Sequence, residues 1–155
     1  MTEELAKLEK SFLEVVDFAK AYPESLRSAK PDEKAFSATE VIYHLLEVEN
    51  LWQRRIKMLV TTTDRNFEPI DPDAQAKANN YNSKPFQKGL EDWFEAREET
   101  IDLIDEMSEG ERRIVGIHAK YGEMDTHRIV EIILGHDKQH LAQLERTQKL
   151  VTQAT

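Results

Sequence analysis

A chain of 155 residues is long enough for one domain with a sizeable core, and its net charge of -9, with a pI near 5.1, argues against a general phosphate-binding surface. With no cysteine, disulfides, thiolate metal ligands and a cysteine nucleophile are excluded. The N-terminus MTEELAKLEK lacks the apolar core of a signal peptide, and no stretch approaches the roughly 20 apolar residues of a membrane span. The expectation is a cytoplasmic protein with neither a membrane nor nucleic acid as partner.

Helical periodicity organises most of the chain. From Thr2 to about Arg27, Leu5, Leu8, Phe12, Val16 and Ala19 form one apolar stripe, with Pro23 marking a break near the end. The second helix opens at Ser37, three residues before Glu40, which is the spacing of a capping box. Val41, Leu45, Val48, Trp52, Ile56 and Leu59 then make a stripe running to about Val60.

Thr61 to Lys84 is punctuated by Thr, Pro, Asp and Asn, and reads as a long connection with room for a short helical turn. The third helix starts near Lys84 or Pro85. Phe86, Leu90, Trp93, Phe94, Ile101 and Ile104 share its face, and Glu109-Gly110 is its expected end. Arg112 to Met124, with Gly116 and Gly122 around IHAKY, reads as a short extended piece or hairpin. The last helix begins near Asp125 or Thr126 and runs to about Val151, with Ile129, Ile132, Ile133, Leu144 and Leu150 on its face. Four amphipathic helices must bury their stripes against one another. The expected fold is an all-α four-helix bundle, one domain over residues 1–155, with a long connection between helices 2 and 3 and an irregular or hairpin segment before helix 4.

The chemistry concentrates on helices 2 and 4. His136 and His140 stand one turn apart at the centre of the last helix's apolar stripe. Imidazoles placed there need partners for their nitrogens, and a shared metal ion is one. His44 lies roughly 60° from the centre of its own stripe and supplies a third ligand from the second helix. Three neutral imidazoles leave a coordination position open, as in reactive rather than closed sites. The competing reading is a polar layer in which the histidines bond to carboxylates such as Glu40 or Glu47.

The sequences FSATEVIYHLLEVE and GEMDTHRIVEIILGHDKQHLAQL, with His44 early in the second helix and the His136–His140 pair on the fourth, resemble the DinB-like metal-binding proteins of the DinB/YfiT type. Gly122-Glu123 before the last helix, Asp137 beside His136 and Gln143 after the pair belong to the same likeness, which spans nearly all of the chain. Phe36 stands where a tryptophan is common. The resemblance implies a four-helix bundle whose three histidines hold a divalent zinc, nickel, iron or manganese ion. It also implies a homodimer. Some relatives are transferases that use low-molecular-weight thiols, and others were proposed as hydrolases.

Other polar residues carry two readings each. Arg97, at the centre of the third helix stripe, is a substrate anchor or half of a structural ion pair. Glu47, on the His44 side of its helix, is a ligand, a partner of a ligand, a general base, or a solvated carboxylate. Glu40 is assigned to capping, and Asp137 and Glu49 to support of the histidines. His118 and His127 are expected at the surface or in local hydrogen bonds. Tyr81 and Tyr121 are candidates for a pocket mouth, while Trp52 and Trp93 are read as packing residues. The functional expectation is a divalent-metal-dependent enzyme acting on a small molecule, as a thiol-dependent transferase or a hydrolase. The alternative is a non-catalytic metal- or ligand-binding protein in which the metal is structural or sensory.

Overall fold

The computed structural model describes residues 1–154. Helix α1, Glu3–Ala21, is capped by the Thr2 hydroxyl and stops short of the expected Arg27. Pro23 disfavours helical geometry at the residue before it, so Tyr22 turns extended and the chain enters a short 3-10 turn, Glu24–Leu26. Helix α2, Ala38–Thr61, begins at the anticipated box: the Ser37 hydroxyl accepts from the Glu40 amide, and the Glu40 carboxylate accepts from the Ser37 amide. Both groups are almost fully buried, which answers the helix's free N–H groups where water cannot.

The connection that follows is more ordered than a loop. It contains strand β1, Asn66–Phe67, helix α3, Pro72–Ala78, capped by Asp71, and a second 3-10 turn, Tyr81–Ser83. Helix α4, Phe86–Glu106, ends earlier than Gly110. Met107 turns extended and Ser108 opens a new capping box for α5, Glu109–Arg112, so Gly110 lies inside that short helix rather than stopping a long one. Strands β2, Gly116–His118, and β3, Gly122–Met124, form the expected hairpin. Its partner was not legible in the sequence: β1 pairs parallel with β2, Phe67 opposite His118, tying the long connection to the hairpin. A Cβ on Gly116 would come within 2.5 Å of the Phe67 ring and 2.8 Å of Leu59, so glycine permits this close approach.

Helix α6, Thr126–Ala154, completes the bundle. Going round it, α1 packs on α4 and α6, and α2 packs on the same two helices. The consecutive helices α1 and α2 thus occupy opposite corners. Buried apolar side chains fall into two main clusters. One surrounds Trp52, Ile56, Leu59, Ile104 and Ile129, and the other surrounds Phe12, Val41, Trp93 and Leu144. Leu150, expected on the buried face, is 51% exposed, and its neighbour Val151 is buried instead. The reason is angular: Leu150 falls about 120° from Leu144 on the helix, and Val151 only about 20°.

His127 secures the start of α6 by reaching Glu4 on α1 at 2.9 Å and Glu109 on α5 at 2.9 Å. These hydrogen bonds, Glu4 first, raise its pKa above the ordinary imidazole value. A raised folded-state pKa gives stability that is fully present below about pH 6.5 and is lost as pH rises through the raised value. The difference in melting temperature between the wild type and His127→Ala is therefore expected to be larger at pH 6 than at pH 9. A gap that widens toward alkaline pH would refute this bridge.

Candidate metal centre

The three histidines meet across the interface of α2 and α6. The two on α6 share a face because they are four residues apart, and His44 faces them from the second turn of α2. The Nε2 atom of His136 lies 3.1 Å from that of His44 and 2.8 Å from that of His140. One ligand atom from each ring falls within 4.8 Å of the others. His44 and His140 are 5% and 6% exposed, so these nitrogens converge where water is scarce.

Hydrogen bonding within the trio does not balance. The Nδ1 of His140 lies 2.6 Å from the Gln143 Oε1, an acceptor, so Nδ1 carries the ring proton and Nε2 presents a lone pair. If His136 Nε2 donates to that lone pair, its one proton is used and it has no lone pair with which to accept from His44, so the contact to His44 is not a hydrogen bond. If His136 Nε2 is instead an acceptor, it meets His140 lone pair to lone pair. Three convergent nitrogens with one unsatisfiable contact fit a cation in their midst better than they fit one another.

Their electrostatics agree. Burial, then His140, brings the His44 pKa down to about 4. Burial, then His140, His44 and Arg97, brings that of His136 down to about 2. Burial lowers His140 too, against opposing pulls from Gln143 and Asp137. All three rings are neutral near pH 7 and keep lone pairs available for ligation.

The other candidates divide. Arg97 is 1% exposed and faces carboxylates rather than a ligand space. Its Nε donates to Glu49 at 2.9 Å, and its two terminal nitrogens clasp Asp137 at 2.8 Å each. Burial alone would lower its pKa, but Glu49 and Asp137 outweigh burial and hold it above the usual value. Asp137 also accepts from Ser11 at 2.7 Å, and Glu49 accepts from Trp93 at 3.2 Å and Thr100 at 2.6 Å. With a bond from Arg97 to the Leu8 carbonyl, the network joins all four long helices at the seam between the two apolar clusters. Glu47 is half-buried, acts electrostatically on the Tyr81 phenol, and does not line the space around the histidines. Glu40 is a capping residue that also meets Lys30 at 3.6 Å.

That space is a cavity of about 490 Å³ opening beside His44, His136 and His140. Val48, Leu51, Trp52, Ile70 and Ile132 give it apolar walls, while Arg55, His118, Lys120, Tyr121 and Gln139 add polar groups. Phe36 packs edge-on against His44, with ring centroids 6.0 Å apart, so the residue marked as a departure from the family pattern forms part of the wall. Tyr121 is at the cavity, as expected of a mouth residue, but Tyr81 is not. The sequence reading passed over Arg55 and Gln139 and expected His118 at the surface or in local hydrogen bonds; it does accept from the Lys120 and Tyr121 amides, but it also lines the cavity. For Arg55 a signal existed: eleven residues after His44, it falls about 20° from it on the helical wheel.

A four-helix bundle with three histidines, two buried and one half-buried, converging beside a cavity defines the class. The chain belongs to the DinB superfamily, whose model matches residues 7–144. Solved structures are similar throughout. YfiT from Bacillus subtilis, described as "a probable metal-dependent hydrolase with an unusual four-helix bundle topology", aligns with TM-score 0.84 at 12% identity, covering 98% of this chain and 90% of its own. An uncharacterized protein from Clostridium difficile 630 aligns with TM-score 0.76 at 14% identity, over 96% of this chain and 95% of its own. A protein from Streptococcus pneumoniae aligns with TM-score 0.76 at 15% identity, over 96% of this chain and 90% of its own. At these identities the likeness concerns the fold. Comparison with curated proteins gave no match. No helix among the described residues is long and apolar enough to cross a membrane.

Proposed function

We propose that this protein is a divalent-metal-dependent enzyme that acts on a small molecule held in the cavity beside His44, His136 and His140, as a hydrolase or a thiol-dependent transferase. The observation that carries the proposal is the convergence of three neutral imidazoles on a space open to a cavity of about 490 Å³, within the size range of small-molecule sites. A site closed on all sides by protein would serve structure alone. The description of YfiT as a probable metal-dependent hydrolase supports the same reading.

His44, His136 and His140 would hold the ion. A divalent cation on three imidazoles supplies Lewis acidity at its open position. The chain's own residues do the rest. Gln143 holds the His140 ring by its Nδ1 proton, which keeps Nε2 free for ligation. The clasp of Arg97 on Asp137 anchors α6 at the residue next to His136. Trp52, Val48 and Ile132 exclude water from the wall next to the histidines. Glu47 does not line this cavity, and Asp73, exposed on α3, is the one carboxylate on its lining among the described residues. Dimerisation and a low-molecular-weight thiol as co-substrate belong to this proposal through the family resemblance.

The test is a screen of ester, amide and thiol-transfer substrates with the protein loaded with zinc, nickel, iron or manganese, each repeated after chelation. Activity that appears with metal, disappears with chelator and returns on reloading is the expected result. Activity surviving complete metal removal would refute metal dependence. A loaded protein inert throughout would favour the non-catalytic binding alternative.

A further inference from the structure

The protein contains two buried arginines, and they are treated differently. Arg97 is clasped by two carboxylates. Arg55 is 5% exposed and has none. Its one hydrogen bond goes to the main-chain carbonyl of Glu68, and no carboxylate pairs with it among the described residues. Burial and the neighbouring Arg54 both pull its pKa below the ordinary value, with no acidic group working the other way. A guanidinium has five N–H donors, and those of Arg55 that Glu68 does not use are not sealed in protein but stay open to the cavity that Arg55 lines, where a ligand can meet them.

Arg55 is also held in place. Its guanidinium carbon sits 4.6 Å over the Trp52 ring and 5.3 Å from the Phe67 ring. On its other side is the hairpin. His118 stacks on Trp52 at 25°, and its Nδ1 accepts from the main-chain amides of Lys120 and Tyr121 at 3.0 and 3.2 Å. With Nδ1 occupied as an acceptor, the neutral His118 ring carries its proton on Nε2 and is a donor there. Arg55, His118 and Lys120 all line the cavity that opens on His44, His136 and His140. Asp73, the one carboxylate on that lining, is exposed on α3 and forms no ion pair with Arg55.

We infer that Arg55, with His118 and Lys120, forms an oxyanion subsite in this cavity, so that the substrate is an apolar small molecule carrying a carboxylate or phosphate group remote from the reacting bond. In a protein of net charge -9, this places a local cationic surface at the one cavity where an anion would be oriented toward the three histidines. The pairing β1–β2, Phe67 opposite His118, brings the connection and the hairpin together to build it. The subsite rests on the proposed function only in taking this cavity as the substrate site, and it does not depend on the metal.

The experiment is therefore run on metal-free protein. Titrations with 3-phenylpropionate, 2-phenylethyl phosphate and the neutral 3-phenylpropanamide are followed by the indole N–H signals, which separate Trp52, at the cavity, from Trp93, in the core. The expected result is movement of the Trp52 signal and binding of at least one oxyanion about tenfold or more tighter than the amide, the increment of a charged hydrogen-bonded contact. The tighter of the two oxyanions identifies the natural group. In Arg55→Gln the advantage over the amide is lost, in Arg55→Lys part of it returns, and Lys120→Gln weakens it less. Equal wild-type affinity for amide and oxyanions overturns the inference without recourse to any variant, as does an undiminished preference in Arg55→Gln. A separate portion of Arg55→Gln, loaded with zinc and dialysed, is expected to hold as much metal as the wild type by elemental analysis. Oxyanion preference in a protein that binds no metal would leave the subsite standing and remove the metalloenzyme reading. Metal bound without oxyanion preference would do the reverse.

Discussion

Replacing His136 with alanine is expected to reduce zinc or nickel uptake from about one ion per chain to near zero. His136 is the middle ring: its Nε2 is the atom in contact with both of the others, so its loss leaves His44 and His140 as an isolated pair on different helices. Elemental analysis after dialysis gives the direct readout. A second readout comes from unfolding, since a ligand that binds only the folded state stabilises it by about 2.7 kcal/mol at a hundredfold excess over Kd. For a chain of this length that corresponds to a rise of roughly 5–10 °C in melting temperature, present in the wild type and absent in His136→Ala. Metal uptake should also fall in acid, where protons compete for the imidazole lone pairs. Undiminished binding in both His136→Ala and His140→Ala would end the assignment of this site.

Arg97→Met is expected to be the most destabilising of the polar substitutions. It removes the cation from between Glu49 and Asp137, which are 3% and 1% exposed, and strands two carboxylates in the centre of the bundle. Breaking a buried pair from one side costs about 3–5 kcal/mol, a large part of the 5–15 kcal/mol that a typical domain has. A fall in melting temperature of roughly 10 °C or more follows. Adding Glu49→Gln and Asp137→Asn to the same chain should recover part of the loss, because the stranded charges are then gone. A single variant that melts within a degree or two of the wild type would show that the network is not what joins the helices here. The network also fixes the position of α6 beside the three histidines: Asp137 holds the helix to α1 and α4 one residue from His136.

Much of this could be read from the amino-acid order. The capping box at Ser37 and Glu40 announces α2, because a helix start has few ways of satisfying its free amides and the i, i+3 pair is one of them. His136 and His140 declare a shared face through their spacing alone, and their place on an apolar stripe demands partners. The hairpin before α6 is likewise a local matter of glycine and β-branched residues. The end of α4 was misplaced because Gly110 signals a helix stop as readily as it tolerates a place in a short helix. The cap at Ser108 decided between them.

The tertiary structure decided what periodicity cannot carry. A helical wheel places Arg97, Glu49 and Asp137 on three separate helices, yet says nothing of whether their polar atoms meet. The meeting depends on α2 packing against α4 and α1 against α6. The same holds for Arg55. Its neighbour across the cavity, His118, lies sixty-three positions away, and the two come together only because β1 pairs with β2. The sequence by itself determined the four helices, the capping and the three histidines, since each follows from contacts within a few residues or from the cost of burying an unpartnered polar group. Which buried charge is neutralised and which is left facing a cavity was decided by packing, because that depends on side chains brought together from distant parts of the chain.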